Sequence, residues 1–581
     1  MKNVGKVATG LGRKLVAWGG LMLVALTISA EQVNEQEAES KARRFFAQQD
    51  QAVQRRNARA MEVDVVRVIL NAEQRRSVAP LQPADSQEEG FYIYNRADGE
   101  GFVIISGESE TSEVLAYSLE GAFHPESMNQ GADHFLQFYA SEIARIRTGQ
   151  AQPLRHEARP TGQRVLLSTV NLNQNTIYFN SRYAPRYDGK YCLAGCGPVS
   201  LATVMAYHKW PETPGTGSQS YTTDLNGISL SCDFEAEEPI DWSLIKSGVT
   251  MAGKASNECS RLLYQCGVAV HADYDPYSTN SYIAGIVFAL REVFHYDACT
   301  TLDRSFIPTV EEWDDIMINE LDNQRPVIVC AQGGINDWDR HIFVVDGYNT
   351  TGLYHYNLGW GGQNNGYYAD GKISSSNLYM CDGIVYGIKP LREEREQTAC
   401  LALKNVRICE EWKQYGDGSW DPIPSEDGVG SKRNFDLTAY GLQNCYHETL
   451  NGHVRAELHS QDGKRKAVIS NLAELNGLQA HYFYYWFYVN CTIPATVRVL
   501  PTDYVCLSFR HKGTTKWLPI YCVDDLTSYV HVDRELALPV EAPLAQPTSA
   551  FRGYYDLQGR SLPQAPQKGL YIKDGRKVVK K

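Results

Sequence analysis

Apolar positions along this chain follow two periods. Between Cys196 and His208, the residues Val199, Ala202, Val204, Met205 and His208 recur at roughly helical spacing, which predicts a helix with one buried face. The stretch EEWDDIMINEL predicts another helix. Strands alternate with these: Val327 to Val329, then Ile342, Val344 and Val345 ending at Asp346-Gly347, then Leu353 to Trp360. Nearer the N-terminus, EQEAESKARRFFAQQ reads as a charged helix. FYIYNRADGEGFVIIS reads as a hairpin with Asp98-Gly99 near its turn and Phe102, Val103, Ile104 and Ile105 in its second strand. Beyond about residue 396 the pattern becomes short strand-like runs (LALKNVRICEEW, GHVRAELHS, KAVISNL, ATVRVLP, YVCLSFRH) separated by Gly, Asp, Asn and Pro. That predicts one β-sandwich or two small β-units. The aromatic run from Tyr482 to Val489 reads as a strand.

Length adds that 581 residues exceed one ordinary domain, so two to four units are expected. A net charge of −12 argues against nucleic acid or an anionic membrane as partner. The first thirty residues read as a signal peptide. Lys2, Lys6, Arg13 and Lys14 precede an apolar run from Leu15 to Ile28, and Ser29-Ala30 offers small residues for cleavage. The alternative is an uncleaved anchor helix. Removal of the leader predicts no stable membrane span and a secreted or cell-surface location.

All fourteen cysteines lie at or beyond Cys192. In an exported protein this predicts a mixture of buried thiols and a few bridges. Cys196 stands apart, because it follows Gly195 and opens the helix. A helix N-terminus favours the thiolate, the nucleophilic form, and Gly195 and Gly197 leave room for a substrate backbone. Pro198 fits the first turn. A Cys192–Cys196 bridge and a zinc site are the competing readings, and both ignore the base. That base is His341, in RHIFVVDGY. Asn357 follows sixteen residues later, and in an adjacent hairpin its amide oxygen would hold the imidazole. Asp346 is the rival orienter. His208 and His355 read as packing residues, and Trp360, Trp338 and Trp242 as cleft walls or core.

These motifs resemble the streptopain family of secreted, papain-like cysteine peptidases. The family's Gly-Cys helix ending in Tyr-His-x-x-Pro is matched by Gly195-Cys196 through Tyr207-His208-Lys209-Trp210-Pro211. Its Gly-His-x-Phe-Val-x-Asp-Gly strand is matched from Arg340 to Gly347, and its His-x-Asn-Trp-Gly-Trp-Gly-Gly element from His355 to Gly362. RLLYQCGVAV and RPVIV also look like the family. The resemblance implies Cys196 as nucleophile, His341 as general base and Asn357 as orienting amide. LLSTVNLNQNTIYFN resembles the opening segment whose Gln donates to the oxyanion hole, here Gln174, with the Cys196 N–H as second donor. Arg340 stands where the family usually has Gly, and Leu358 where it has a shielding Trp.

The expected architecture is α+β: a papain-like two-lobe catalytic domain after an α+β propeptide and before a β-sandwich-like region. The expected divisions are a signal peptide (1–30), an inhibitory propeptide (31–163), a peptidase domain (164–395), a β-rich domain (396–545) and a tail (546–581). The propeptide pattern resembles streptopain-like prosegments, with the polar, basic stretch Ala151 to Arg164 as a nicking site. The competing reading is a stable N-terminal domain with no regulatory role. The tail resembles those of Gram-negative proteins exported by type IX secretion, against an edge hairpin with a basic end. The expected function is a secreted bacterial endopeptidase made as a zymogen. It would act on protein or peptide substrates, with its own propeptide as inhibitor and no cofactor or metal. The resemblance suggests an apolar preference at the residue before the cleaved one. The alternatives are an amidase or transpeptidase acting on cell-wall peptides, or an inactive surface adhesin.

Overall fold

The computed structural model describes residues 32–53, 63–78, 90–154, 164–175, 183–332, 340–375, 380–391, 401–415, 418–425, 433–520, 529–532, 554–555 and 561–580, a few single or paired positions apart. The expected leader, most of the nicking segment and Trp338 lie outside the described residues.

The charged helix forms as α1 (Glu35–Val53). Asn34 and Glu37 cap it reciprocally, each side chain accepting from the other's backbone N–H. An antiparallel meander follows: β1 (Val65–Val68), β2 (Phe91–Arg96), β3 (Phe102–Ser106) and β4 (Val114–Ser118). The predicted hairpin is β2–β3, turning at Gly99 with φ +81°. Helix α2 (Gln130–Arg147) closes this segment. The Asn129 side chain caps it by accepting from Ala132 N at 2.9 Å.

Next come β5 (Val165–Leu166), α3 (Cys196–His208), α4 (Lys254–Ala269), β6 (Thr300–Asp303) and α5 (Val310–Asp322). Strands β7 (Val327–Gln332), β8 (Arg340–Tyr348), β9 (Tyr354–Asn357), β10 (Gly366–Tyr368) and β11 (Cys381–Tyr386) complete this part. The predicted EEWDDIMINEL helix is α5, capped by Thr309 accepting from Glu312 N. One sheet runs β1-β2-β3-β4-β10-β9-β8-β7-β11-β6, with β5 added on β8. Within this sheet the N-terminal meander joins strands β6 to β11 through a short antiparallel joint, Tyr117 opposite Tyr367 and Ala116 opposite Tyr368.

Strand β8 separates two apolar clusters. Phe343 and Val345 join Phe135, Tyr356 and Tyr368 on the α2 side. Ile342 and Val344 join Val199, Leu201 and Met205 on the α3 side. Helix α3 was expected to bury one face, but every residue from Gly197 to Ala206 is buried. It lies between the sheet and α4: Ser200 Oγ donates to the Ile342 carbonyl at 3.1 Å, and Cys266 of α4 meets Met205 at 3.7 Å between sulfurs. A helix apolar all round is a core helix.

The C-terminal part is all strand among the described residues. Strands β12 (Asn405–Gln414), β13 (Trp420–Pro424), β14 (Asn434–Asn444) and β16 (Phe483–Thr492) pair in one sheet, where β14 lies between β12 and β16. Strands β15 (Leu450–His459) and β17 (Tyr504–His511) pair in a second sheet. Both contribute to one apolar cluster that includes Leu437, Val454, Val489 and Leu507. A further four-stranded sheet lies between Tyr554 and Lys580. The first two sheets meet the helical side of the catalytic segment through aromatic side chains. His447 stacks on His271 with ring centroids 3.6 Å apart, and His481 on Tyr282 at 4.4 Å. Among the described residues, no helix is long and apolar enough to cross a membrane.

Candidate active site

Cys196 is the first residue of α3, after Gly195 at φ +91°. Of the twelve described cysteines it alone is not buried, and none of the twelve forms a disulfide. The few bridges expected among the other cysteines, and the competing Cys192–Cys196 bridge, are therefore absent among the described residues. Burial pushes Cys192 up to about 11 and Cys330 up to about 12, so neither is a competing thiolate. The two glycines serve a different purpose from the one expected. A Cβ at Gly197 would lie 2.1 Å from Ser281 Oγ, and one at Gly195 would lie 2.8 Å from Thr279 Cγ2. The loop carrying Thr279 and Ser281 fills the space, not an approaching substrate.

His341 is fully buried at the start of β8. Its neighbour Ile342 contacts the first turns of α3: Ser200 reaches the Ile342 carbonyl, and a Cβ at Gly197 would be 3.7 Å from Ile342 Cδ1. The imidazole itself lies toward α2. Its centroid is 6.4 Å from the His134 ring, edge to face, and 5.4 Å from the Phe343 ring. A Cβ at Gly131 would sit 3.2 Å from the ring and 2.9 Å from Leu358. The α2 backbone therefore rests directly on this histidine, a contact that no periodicity in the sequence signals.

Nε2 of His341 lies 3.2 Å from the Leu358 carbonyl. A carbonyl only accepts, so this contact assigns the proton to Nε2 and leaves Nδ1 as the basic nitrogen. That was the expected work of Asn357. The predicted hairpin does form, but its register pairs Asn357 with Val344, and a bulge lies between Val345 and Gly347. The Asn357 amide instead donates to Thr169 Oγ1, the Val170 carbonyl and Asn171 Oδ1 at 3.0–3.2 Å, and its oxygen accepts from Gly359 N. It ties down the segment leading to Gln174 and shapes the loop that presents Leu358.

Gln174 is buried, and its Nε2 has no hydrogen-bond partner among the described residues. Its carbonyl accepts from Ala194 N at 2.9 Å, two residues before Cys196. An unspent amide donor on a residue whose backbone carbonyl is tied to Ala194, two residues before Cys196, offers the chemistry an oxyanion needs. A preorganised donor is worth about 3–4 kcal/mol of barrier.

The remaining candidates fall into structural roles. Asp346 accepts from His355 Nδ1 at 2.5 Å and from Thr169, so neither orients His341 through the contacts described. Burial pulls His208 down to about 4, and its ring packs beside Tyr207 and Tyr296. Trp242 donates to the Pro211 carbonyl and joins the α3-side cluster, whereas Trp360 packs on the α2 side. In the C-terminal part, Glu457, His459 and Cys506 come together. Their carboxylate is already paired with Arg455 and Arg465. Against its burial, hydrogen bonds to Cys506 and Glu457 raise His459 to about 10, so the cluster behaves as an ion pair.

Comparison with known proteins adds two matches along the chain. Residues 172–368 match the Peptidase C10 family, and residues 30–143 match the Spi protease inhibitor pattern. Residues 172–368, about a third of the chain, are thus similar to the streptopain (Peptidase C10) family. Streptopain of Streptococcus pyogenes is 26% identical over 411 residues, which are 65% of this chain and 97% of streptopain. The thiol protease/hemagglutinin PrtT of Porphyromonas gingivalis is 25% identical over 401 residues, which are 64% of this chain and 44% of PrtT. The match to PrtT thus spans less than half of that relative. Among solved structures, a fragment of Prevotella intermedia prointerpain A is 26% identical, covering 52% of this chain and 98% of the fragment with a TM-score of 0.46. About a third of this chain lies outside the streptopain alignment.

Proposed function

We propose that this chain is a secreted bacterial cysteine endopeptidase made as a zymogen, with Cys196, His341 and Gln174 as its chemical groups. The observation that carries the reading is the Cys196 corner: one partly exposed thiol at a helix N-terminus, with a buried, unpartnered amide donor tied two residues away. The Cys196 thiolate attacks the scissile carbonyl, forming an S–C bond, and the oxyanion rests between Gln174 Nε2 and the Cys196 N–H. His341 holds on Nδ1 the proton taken from the Cys196 thiol and gives it to the leaving amine as the C–N bond breaks. It then takes a proton from the water that hydrolyses the thioester. Asn357 acts as a positioning residue, through the Leu358 loop. No step calls for a metal or cofactor.

The two clusters on either side of β8 fit a papain-like division, with the nucleophile on the helical side and the base on the sheet. The C-terminal sheets fit a β-sandwich. Helix α2 covers His341 and represents the inhibitory contact of the propeptide. Cutting between about Pro153 and Val165 after removal of residues 1–30 would release it. The segment ends expected at 163, 395 and 545 belong to this proposal, as does an extracellular location.

The test is labelling with an epoxide inhibitor of cysteine peptidases, mass mapping, and N-terminal sequencing of the secreted form. The expected result is one label, on Cys196, in protein that has lost the N-terminal unit. Cys196→Ala is expected to abolish casein cleavage and to retain the N-terminal unit if maturation is autocatalytic. Cleavage by that variant would overturn the assignment.

A further inference from the structure

A cleft of about 500 Å³, its open mouth included, lies where the C-terminal sheets meet the catalytic sheet. Its position ties it to the chemistry. Arg340 in its wall immediately precedes His341, and Cys330 in its floor pairs across the sheet with Ile342. Ile283 on the far side is two residues from Ser281, which touches Gly197. Along one wall the cleft reaches the residue before His341, on the face of β8 opposite to the His341 ring, and along the other it follows the loop that meets Gly197 beside Cys196.

Its lining is mostly apolar, from Ile283, Leu302, Cys330 and Ile384. The Arg340 charge does not give it a cationic character. The guanidinium donates to both oxygens of Asp382, at 2.8 and 3.4 Å, and a third contact runs to Cys330 Sγ at 3.8 Å. The opposite wall comes from the C-terminal sheets: Phe483, Gln443, Gly441 and Lys404. That wall is held in place. The Phe483 ring lies 5.6 Å from the Phe306 ring. Gln443 accepts from Thr301 and donates to the His481 carbonyl, and Lys404 donates to the Phe306 carbonyl.

We propose that the C-terminal β-unit is a working wall of the substrate cleft, and that Phe483 limits the size of an apolar substrate side chain bound on the Cys330 and Arg340 face of β8, the face that packs toward α3. This rests on the peptidase reading above and adds a substrate class: peptides carrying a small or medium aliphatic residue at one position near the cut, with large aromatics refused there. It also gives the C-terminal extension, which lies beyond the Peptidase C10 match, a place in specificity. A void shaped by one large ring enlarges when that ring is truncated, and pocket size is read as discrimination among side chains.

The experiment compares matured wild type, Phe483→Ala and Phe483→Leu on a positional-scanning peptide library. Concentrations are set by epoxide titration, and retention of the C-terminal unit is checked by intact mass. The expected result is a change at one position only. There, kcat/KM for Phe or Trp relative to Val rises at least fivefold in Phe483→Ala and less in Phe483→Leu, with other positions unmoved. An unchanged ratio in both titratable variants overturns the proposal while leaving the peptidase reading intact. A wild type that takes the label but cleaves no peptide, or takes no label, overturns the peptidase reading and this proposal with it. If Phe483→Ala does not fold, Phe483→Leu carries the same test through its smaller shift.

Discussion

The catalytic segment has a neighbour on each side, and the two are attached by different physics. The N-terminal unit continues the backbone sheet at β4–β10 and lays an aromatic helix on the base. Phe135 stacks on Tyr368 at 4.3 Å and meets Tyr356 at 4.9 Å. The C-terminal sheets add no strand to that sheet among the described residues. They are joined by side chains: the His447–His271 and His481–Tyr282 stacks, the Phe306–Phe483 pair, and single hydrogen bonds such as His447 to the Ala269 carbonyl. The first joint occludes His341. The second leaves it alone and shapes a wall nearby. One neighbour is therefore suited to switching the enzyme off, the other to biasing what it accepts.

The largest expected effect is on the N-terminal joint. Phe135→Ala removes a fully buried ring between α2 and the sheet, a loss of about 3–5 kcal/mol. In uncut full-length protein, the rate at which an epoxide labels Cys196 is expected to rise at least tenfold. No rise would mean that α2 is not the cover. The chemistry itself is isolated by Gln174→Ala, in which an unpartnered amide is lost without breaking a hydrogen bond. In matured enzyme kcat is expected to fall about 10²–10³-fold with thermal stability nearly unchanged. An equal loss of stability would mark Gln174 as a structural residue.

The C-terminal joint is expected to respond to acid. Burial, reinforced by the neighbouring imidazoles, lowers His271 to about 4 and His447 and His481 to about 3. Their surroundings supply no counter-charge in the contacts described: Tyr221 and Gln219 face His271, the Ala269 carbonyl and Phe288 face His447, and Tyr282 faces His481. Released from the joint, each imidazole takes a proton below its ordinary value of 6.5, whereas the docked form stays neutral down to about 4. Docking is therefore at full strength above 6.5 and weakens as pH falls from there toward 4, by at most about 1.4 kcal/mol per histidine per pH unit. Melting curves between pH 7 and 4.5 are expected to show this loss, and His447→Gln to flatten it. The smallest effect expected is from Asn129→Ala, which removes the α2 cap and the donor to the Gln363 carbonyl. It should cost about 0.5–2 kcal/mol of N-terminal docking, read as a modest rise in labelling rate.

Local elements were legible in the sequence wherever one stretch of chain determines them. The β2–β3 hairpin, α5 and the strand of His341 follow from period and turn residues, and Cys196 follows from a glycine before a helix. Gln174 was reached through family resemblance, and its amide nitrogen is buried without a hydrogen-bond partner among the described residues. What escaped depends on register or on distant packing. The bulge between Val345 and Gly347 contributes to setting Asn357 opposite Val344, so that a backbone carbonyl meets the imidazole. A backbone group has no signature in the sequence. The full burial of α3 needed both α4 and the sheet, which no window of thirteen residues contains. That none of the twelve described cysteines is bridged follows from where their elements pack, not from how they are spaced.

The joint between β4 and β10 has an effect that outlasts the zymogen. While it is made, Gly366 receives the Tyr117 carbonyl where a Cβ would come within 2.4 Å, and Tyr367 and Tyr368 spend their ladder positions on Tyr117 and Ala116. Once the N-terminal unit departs, the Gly366–Tyr368 strand becomes a bare sheet margin bearing two tyrosines. Unpaired margins of this kind recruit any extended polypeptide within reach. Maturation would therefore leave the enzyme with an adhesive rim, open to a partner, a second molecule or a displaced stretch of its own chain.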